Sequence, residues 1–259
     1  MIPDVVADVG NSRIKWGRCR DDRIAAVAAL PHDEPTAWGR QLEIDDWRAA
    51  QPLTWAVSGV APRVVNRLVA WLEERGDRVV RIERAAQLPL RVELERPDHV
   101  GIDRLLKAVA VNDWLARQPG PRPPAIIVDA GTAITVDLVD ETGAFQGGSI
   151  LPGLRLAARA LHEHTALLPL VELPPEVPPL PGKSTPAALQ AGLYHGLAGA
   201  VDRLIARLAA GCVRPPAVVL AGGDGPRLHQ ALERPAILMP LLTLEGLRLT
   251  AQRLVGGPS

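Results

Sequence analysis

Two short segments place a carboxylate beside a tight glycine turn, Asp8-Val9-Gly10-Asn11-Ser12 and Asp129-Ala130-Gly131-Thr132-Ala133. Each closes an apolar run, Val5–Val9 and Ala125–Val128 respectively. A carboxylate at the end of a buried strand can hold a metal ion, and the exposed amides of the turn can approach phosphate oxygens. Lys15 lies seven residues past Asp8 on the expected return strand, where it reaches toward the same phosphates. Neither segment is GxxxxGK[ST] or GxGxxG, so the chemistry is not that of a P-loop or a dinucleotide fold. The bland alternative is that both aspartates cap hairpin turns. One such turn would carry little weight; the same turn twice, each on a strand, favours ligand binding.

A third glycine cluster, Ala221-Gly222-Gly223-Asp224-Gly225, lies between an apolar run and a helical stretch. It either takes an adenosine against its backbone or is an ordinary strand–helix loop. Gly101-Ile102-Asp103-Arg104 opens a helix. A carboxylate in a first turn feels the positive end of the helix, stays ionised and can accept a proton late in phosphoryl transfer. Arg104 offers a fork for a carboxylate substrate, and the alternative is simple helix capping. Gly147-Gly148-Ser149-Ile150-Leu151-Pro152-Gly153 is either pocket-lining backbone or a plain turn. His162 and His164 are two apart, so on a helix they point away from each other and make a poor metal pair. Tyr194, His195 and His229 are expected to be structural.

The elements that position these residues repeat. Val5–Val9, Ile14–Cys19 and Ile24–Leu30 read as a β-meander with turns at Gly10-Asn11 and Asp21-Asp22. Ala125–Val128, Ile134–Val139 and Ala144–Ile150 repeat it, with Asp8 matching Asp129 at an offset of 121 residues. Helices are expected over 36–50, 63–75, 101–116, 185–209 and 241–254, with Ser184 or Thr185 as an N-cap and Pro186 near the first turn. Strands are expected over 53–57, 79–82 and 217–220. The run Gln118–Pro124 reads as a helix stop and linker, and Pro169–Pro181, with six prolines, as an extended loop. The expected architecture is α/β, with two lobes, 1–118 and 119–259. Each is led by a β-meander in a mixed sheet with flanking helices.

Composition narrows the partners. The chain has 259 residues, is 47% hydrophobic and carries 29 basic and 29 acidic residues. A balanced charge gives no footprint for nucleic acid or anionic membrane, so a small molecule is the expected partner. Lys15, Lys107 and Lys183 are the three lysines in an arginine-dominated chain. Two cysteines, Cys19 and Cys212, form no framework and fit a reducing compartment. The N-terminus lacks a signal-like pattern and no long apolar span occurs, so a cytoplasmic protein is expected.

Taken in order, Asp8–Lys15, Gly101–Arg104, Asp129–Asp137, Gly147–Gly153 and Ala221–Asp224 resemble the motifs of the type III pantothenate kinase family, which includes the Bvg accessory factor branch. The resemblance spans nearly the whole chain. It implies two RNase H-like lobes of the actin/Hsp70/sugar kinase superfamily and transfer of the ATP γ-phosphoryl group to pantothenate. It implies that Asp8, Gly10, Asn11, Ser12 and Lys15 bind ATP phosphates, with Asp8 near Mg²⁺, and that Thr132, Gly222 and Gly223 also contact ATP. Gly101, Ile102, Asp103, Arg104 and Thr185 match pantothenate-binding positions, Asp103 being the catalytic base. Asp129 matches the ligand of an activating monovalent cation, K⁺ or NH₄⁺, and the family implies a homodimer with its pantothenate pocket at the subunit interface. Two positions depart from the pattern: Leu94 stands where many members have a pocket Tyr, and Ile134 where many have Thr. Two other readings remain open from the residues: a kinase of another small hydroxy acid or sugar, and a non-catalytic nucleotide-binding regulator.

Overall fold

Short apolar strands separated by polar turns and amphipathic helices dictate two layered α/β units. The computed structural model describes residues 2–44, 47 and 52–256. One unit comprises Met1–Gln118 with Leu241–Ser259, the other Pro119–Pro240.

In the first unit, β1 (Val5–Val9) is buried along its length and takes the centre of a sheet. β2 (Ile14–Arg20) returns antiparallel to it, and β3 (Arg23–Leu30) continues the meander. Asp21 and Asp22 join β2 to β3 with φ of 48° and 60°, the paired left-handed residues of a tight hairpin. α1 (Pro35–Glu43) buries Trp38 and Leu42, and β4 (Thr54–Gly59) then lies parallel to β1. α2 (Pro62–Glu74), β5 (Arg78–Arg81) and α3 (Ile102–Ala116) follow, giving the order β3-β2-β1-β4-β5. Because side chains alternate across a strand, Val5, Ala7, Val9, Ile14 and Trp16 share one face with Trp38, Trp55, Leu68 and Leu72. Trp16 and Trp55 meet edge to face at 4.8 Å there. Val6, Asp8 and Lys15 are left on the other face.

The second unit repeats the plan. β6 (Ala125–Ala130), β7 (Ala133–Val139) and β8 (Phe145–Pro152) form its meander. α4 (Leu154–Glu163), α5 (Thr185–Ala209), β9 (Ala217–Ala221), α6 (Gly225–Ala231) and β10 (Ile237–Leu238) complete it. The order β10-β9-β6-β7-β8 reproduces that of the first sheet, element for element. Ser184 caps α5 by accepting from the Ala187 amide. The proline-rich loop is tied to α5: Gln190 donates to the Glu172 carbonyl at 2.7 Å, and His195 Nε2 donates to the Pro178 carbonyl at 2.8 Å.

Two expectations need correction. The last helix, α7 (Leu242–Gly256), belongs to the first unit and not to a lobe running 119–259. Its Gly246 presses on the Leu106 backbone of α3, so closely that a Cβ would overlap the Leu106 carbonyl, and the crossing secures the chain's end. The helix expected over 36–50 ends at Glu43; residues 45, 46 and 48–51 lie outside the described ones. The turn expected at Gly10-Asn11 is present: the Gly10 amide donates to the Arg13 carbonyl at 3.1 Å, which closes it without positive φ at either residue.

The helix crossing is testable. Gly246→Ala must part α7 from α3, and overpacking of this kind costs about 1–3 kcal/mol. Urea unfolding of the variant should show that loss, and an unchanged midpoint would refute a tight crossing.

Candidate active site

In the first unit, Asp8 sits at the C-terminal end of β1, opposite Lys15 on β2 and Ser58 on β4. Cross-strand partners share a face, so the Asp8 carboxylate and the Lys15 ammonium project to the same side. Asp8 is buried, and Ser58, fully buried, donates to the Ile82 carbonyl at 2.6 Å. Where β4 ends, the Val60 amide donates to the Val9 carbonyl at 2.9 Å. Gly101, the N-cap of α3, lies against this point: a Cβ there would stand 3.9 Å from Val60 Cγ1 and 2.8 Å from Asp103 Oδ1. The first turn of α3 is thus brought to the end of the Asp8 strand, with Ile102 buried beneath it.

Asp103 does not cap α3. Its Oδ2 accepts a 2.7 Å hydrogen bond from Lys107 Nζ, one turn along the helix. The Lys107 side chain is 3% exposed and that of Asp103 27%. Burial pushes the Asp103 carboxyl upward. The charge and hydrogen bond of Lys107, the Arg104 amide and the Arg104 guanidinium outweigh that push and hold it below the ordinary aspartate value. Asp103 is therefore an ionised acceptor poised at a helix N-terminus. Arg104, beside it, is half-buried.

In the second unit, Asp129 occupies the position equivalent to Asp8, paired with Thr135 on β7 and Ala221 on β9. Gly222 crosses it at φ 89°, and a Cβ there would stand 2.6 Å from Asp129 Oδ1 and overlap the Ala130 carbonyl. Only glycine fits. The Asp224 amide donates to the same carbonyl at 2.9 Å. Gly153 abuts the other flank of the turn, and its amide donates to the Thr132 carbonyl at 3.0 Å. Gly223 has open space around it, so the backbone makes no demand for glycine there. Asp224 accepts from Arg227 at 2.7 Å, with Arg155 at 3.6 Å.

The structure thus groups Asp8, Lys15, Gly101, Ile102, Asp103 and Arg104 in one unit, and Asp129, Thr132, Gly222 and Gly223 in the other. Gly10, Asn11 and Ser12 form the turn that follows Asp8, with Asn11 and Ser12 exposed. Thr185 is exposed at the start of α5. Sequence reasoning missed Lys107, although its signal was present: an acidic residue four positions before a lysine on a helix. It also missed Thr135, whose buried hydroxyl finds no hydrogen-bond partner and neighbours Asp129. An orphaned hydroxyl oxygen beside a carboxylate suits a hard cation that takes oxygen donors.

Other chemistries find little support. Among the described residues there is no cluster of three His, Cys, Asp or Glu side chains fit for a metal. His162 Nδ1 instead meets the Leu168 carbonyl at 2.8 Å. Burial pushes the Cys19 thiol up to about 12, which leaves it inert as a nucleophile. Among the described residues no helix is long and apolar enough to cross a membrane.

The lowered Asp103 value fixes a sign. Its stabilising effect is fully present above the unfolded aspartate value of about 3.9, and is lost as pH falls through the lower folded value. The stability gap between the wild type and Asp103→Asn should therefore shrink on acidification. A gap that widened instead would mean the carboxyl titrates high.

Comparison with known proteins gives the family. Residues 5–207 match the family model described as type III pantothenate kinase. A protein named type III pantothenate kinase from Alkalilimnicola ehrlichii is 36% identical over 96% of this chain and 97% of its own length. Among solved structures, a Baf family transcriptional activator from Campylobacter jejuni superposes with a TM-score of 0.63 at 18% identity, covering 98% of this chain and 100% of its own. A ROK family glucokinase from Streptomyces griseus does so with a TM-score of 0.53 at 14% identity, covering 97% and 100%. At such identities they establish the shared fold, that of the sugar kinases and actin. With the two repeated meanders in place and the motifs in order along them, the chain belongs to the type III pantothenate kinase family.

Proposed function

We propose that this protein is an ATP-dependent pantothenate kinase, transferring the γ-phosphoryl group of ATP to the primary hydroxyl of pantothenate at the first step of coenzyme A formation. The observation that carries this reading is the ionised Asp103 carboxylate at the N-terminus of α3, beside the end of the Asp8 strand, in a chain of this family.

In this reading the amides of the Gly10–Ser12 turn and the Lys15 ammonium bind phosphate oxygens, with Asp8 facing the Mg²⁺ that accompanies ATP. Thr132, Gly222 and Gly223 bind the nucleotide. Gly101, Ile102, Arg104 and Thr185 hold pantothenate, Arg104 forming a fork with its carboxylate. Asp103 accepts a hydrogen bond from the attacking hydroxyl. As the oxygen–phosphorus bond forms and the bond to the β-phosphate oxygen breaks, Asp103 takes the proton and ADP leaves. The protein's share is positioning and charge stabilisation, since the transition state is loose and the oxygens carry the charge.

Asp129 and the Thr135 hydroxyl would hold a monovalent cation, K⁺ or NH₄⁺, which supplies fixed positive charge. We place the working protein in the cytoplasm as a homodimer, in keeping with the family resemblance. Its lobes are taken as 1–118 and 119–240, with α7 completing the first.

Two measurements test this. ADP release with ATP, Mg²⁺ and pantothenate should depend on pantothenate and should need K⁺ or NH₄⁺ in place of Na⁺. A panel of other hydroxy acids and sugars that supported faster release would move the reaction to another acceptor, and nucleotide binding without any release would favour a regulator. Asp103→Ala should lower kcat about 10²- to 10⁴-fold while ATP still binds. Near-normal turnover in that variant would remove Asp103 from the role of base.

A further inference from the structure

We propose that Lys107 is a positioning residue for phosphoryl transfer: its buried ammonium anchors one oxygen of Asp103 and leaves the other turned toward the substrate hydroxyl. This role deepens the kinase reading above and rests on it.

The two carboxylate oxygens face different surroundings. Oδ2 accepts from Lys107 Nζ at 2.7 Å. Oδ1 lies on the side of Gly101, 2.8 Å from where a Cβ would stand, so any other residue at that position would crowd it. Lysine thus fixes one oxygen, and the missing glycine side chain keeps the approach to the other clear. A carboxylate oxygen accepts more than one hydrogen bond, so Oδ1 can take the hydroxyl whatever else it holds.

Helix support alone does not account for the pair. An exposed i,i+4 pair stabilises a helix by only a few tenths of a kcal/mol, and lysine is almost never fully buried unless paired. Lys107 is 3% exposed, in a chain with only three lysines among 29 basic residues. Arginine, the chain's usual cation, brings a wide planar fork; lysine brings a compact point charge on a flexible stem. Placing it under Asp103 costs desolvation that the paired carboxylate helps to offset.

The charged groups around Asp103 are few. On α3 they are Lys107 and Arg104. β4, which packs on α3, carries no ionisable side chain. α7 packs on α3 as well and carries Glu245, Arg248 and Arg253. Glu245 accepts from the Ile24 amide and from Arg248, and Arg248 also donates to Gln252, which turns both toward the β2–β3 hairpin. Arg253 is exposed.

The test compares Lys107→Met, Lys107→Arg, Asp103→Asn and the Lys107→Met/Asp103→Asn double variant with the wild type. Lys107→Met should lower kcat about tenfold to a hundredfold, the scale of a misplaced catalytic group, with the KM for ATP nearly unchanged. The acid limb of its kcat–pH profile should move to higher pH, because Asp103 has lost a neighbouring positive charge. Lys107→Arg should return part of that shift. In the Asp103→Asn background, Lys107→Met should cost nothing further, since Lys107 acts through Asp103. Titration of the Asp103 carboxyl by carbon NMR, which needs no turnover, should show the same upward move. A wild-type kcat and an unmoved acid limb in Lys107→Met overturn the proposal, as does a full loss that persists beside Asp103→Asn. Should Lys107→Met fail to fold, the wild-type titration decides: an Asp103 that titrates at or above the ordinary aspartate value refutes the anchor. A wild type that releases no ADP with pantothenate, though Asp103 titrates low, sinks the kinase reading and this role with it. Normal wild-type turnover with an unmoved Lys107→Met profile sinks the Lys107 role alone.

Discussion

Both units depend on one steric constraint: a strand that runs parallel to the aspartate strand must cross over the aspartate turn where only a glycine fits. In the first unit, β4 ends with Gly59 pressed on Val9, where a Cβ would overlap the Val9 carbonyl. In the second, Gly222 stands in the same relation to Ala130. Each crossing is closed by a backbone hydrogen bond of 2.9 Å to the same carbonyl, from Val60 in one case and Asp224 in the other. A side chain at either glycine would lift the crossing segment off its turn. The segment carries the next functional group with it, Gly222–Asp224 in the second unit and the Val60 contact to Gly101 in the first. The repeated fold is therefore a way of holding a carboxylate near the end of each central strand while a second chain segment is pressed against the residue that follows it.

With the carboxylates fixed, their environments set them apart. Asp8 lies opposite Lys15 on the neighbouring strand, in a setting suited to phosphate and its metal. Asp103, at a helix start, has an ammonium one turn below and is held ionised. Asp129 has an orphaned hydroxyl as its strand neighbour and is overlaid by glycine. Asp224 is committed to Arg155 and Arg227 and so stabilises its own loop. The four aspartates thus differ in character because of what each touches.

Much of this was legible in the sequence, because both levels of pattern are local. The Asp-x-Gly turns, the alternating strands and the start of α5 at Thr185 are fixed by neighbours within a few residues, and the second meander is a visible copy of the first. What escaped was set by contacts distant in sequence or by register. Thr135 became notable only when β7 was placed against β6, which put its hydroxyl beside Asp129. Gly59 looked like the end of a strand until it met Val9. The short β10 and the membership of α7 could not be read at all, since both depend on what they pack against. Lys107 is the intermediate case: its spacing to Asp103 was in the sequence, but its burial was not.

The place of α7 reaches the chemistry through α3. Gly246 rests on Leu106, the residue immediately before Lys107, and Leu106 itself is fully buried. On its other side α7 fastens to the β2–β3 hairpin, through Glu245 to the Ile24 amide and Arg248 toward Asp22. α3 is thus clamped by a helix that is itself anchored to the sheet bearing Asp8 and Lys15. Packed interiors transmit displacement poorly absorbed elsewhere, so a shift of α7 moves Lys107 and Asp103 together relative to that sheet. The last helix, far from the motifs in sequence, thereby sets where the start of α3 stands relative to the turn after β1.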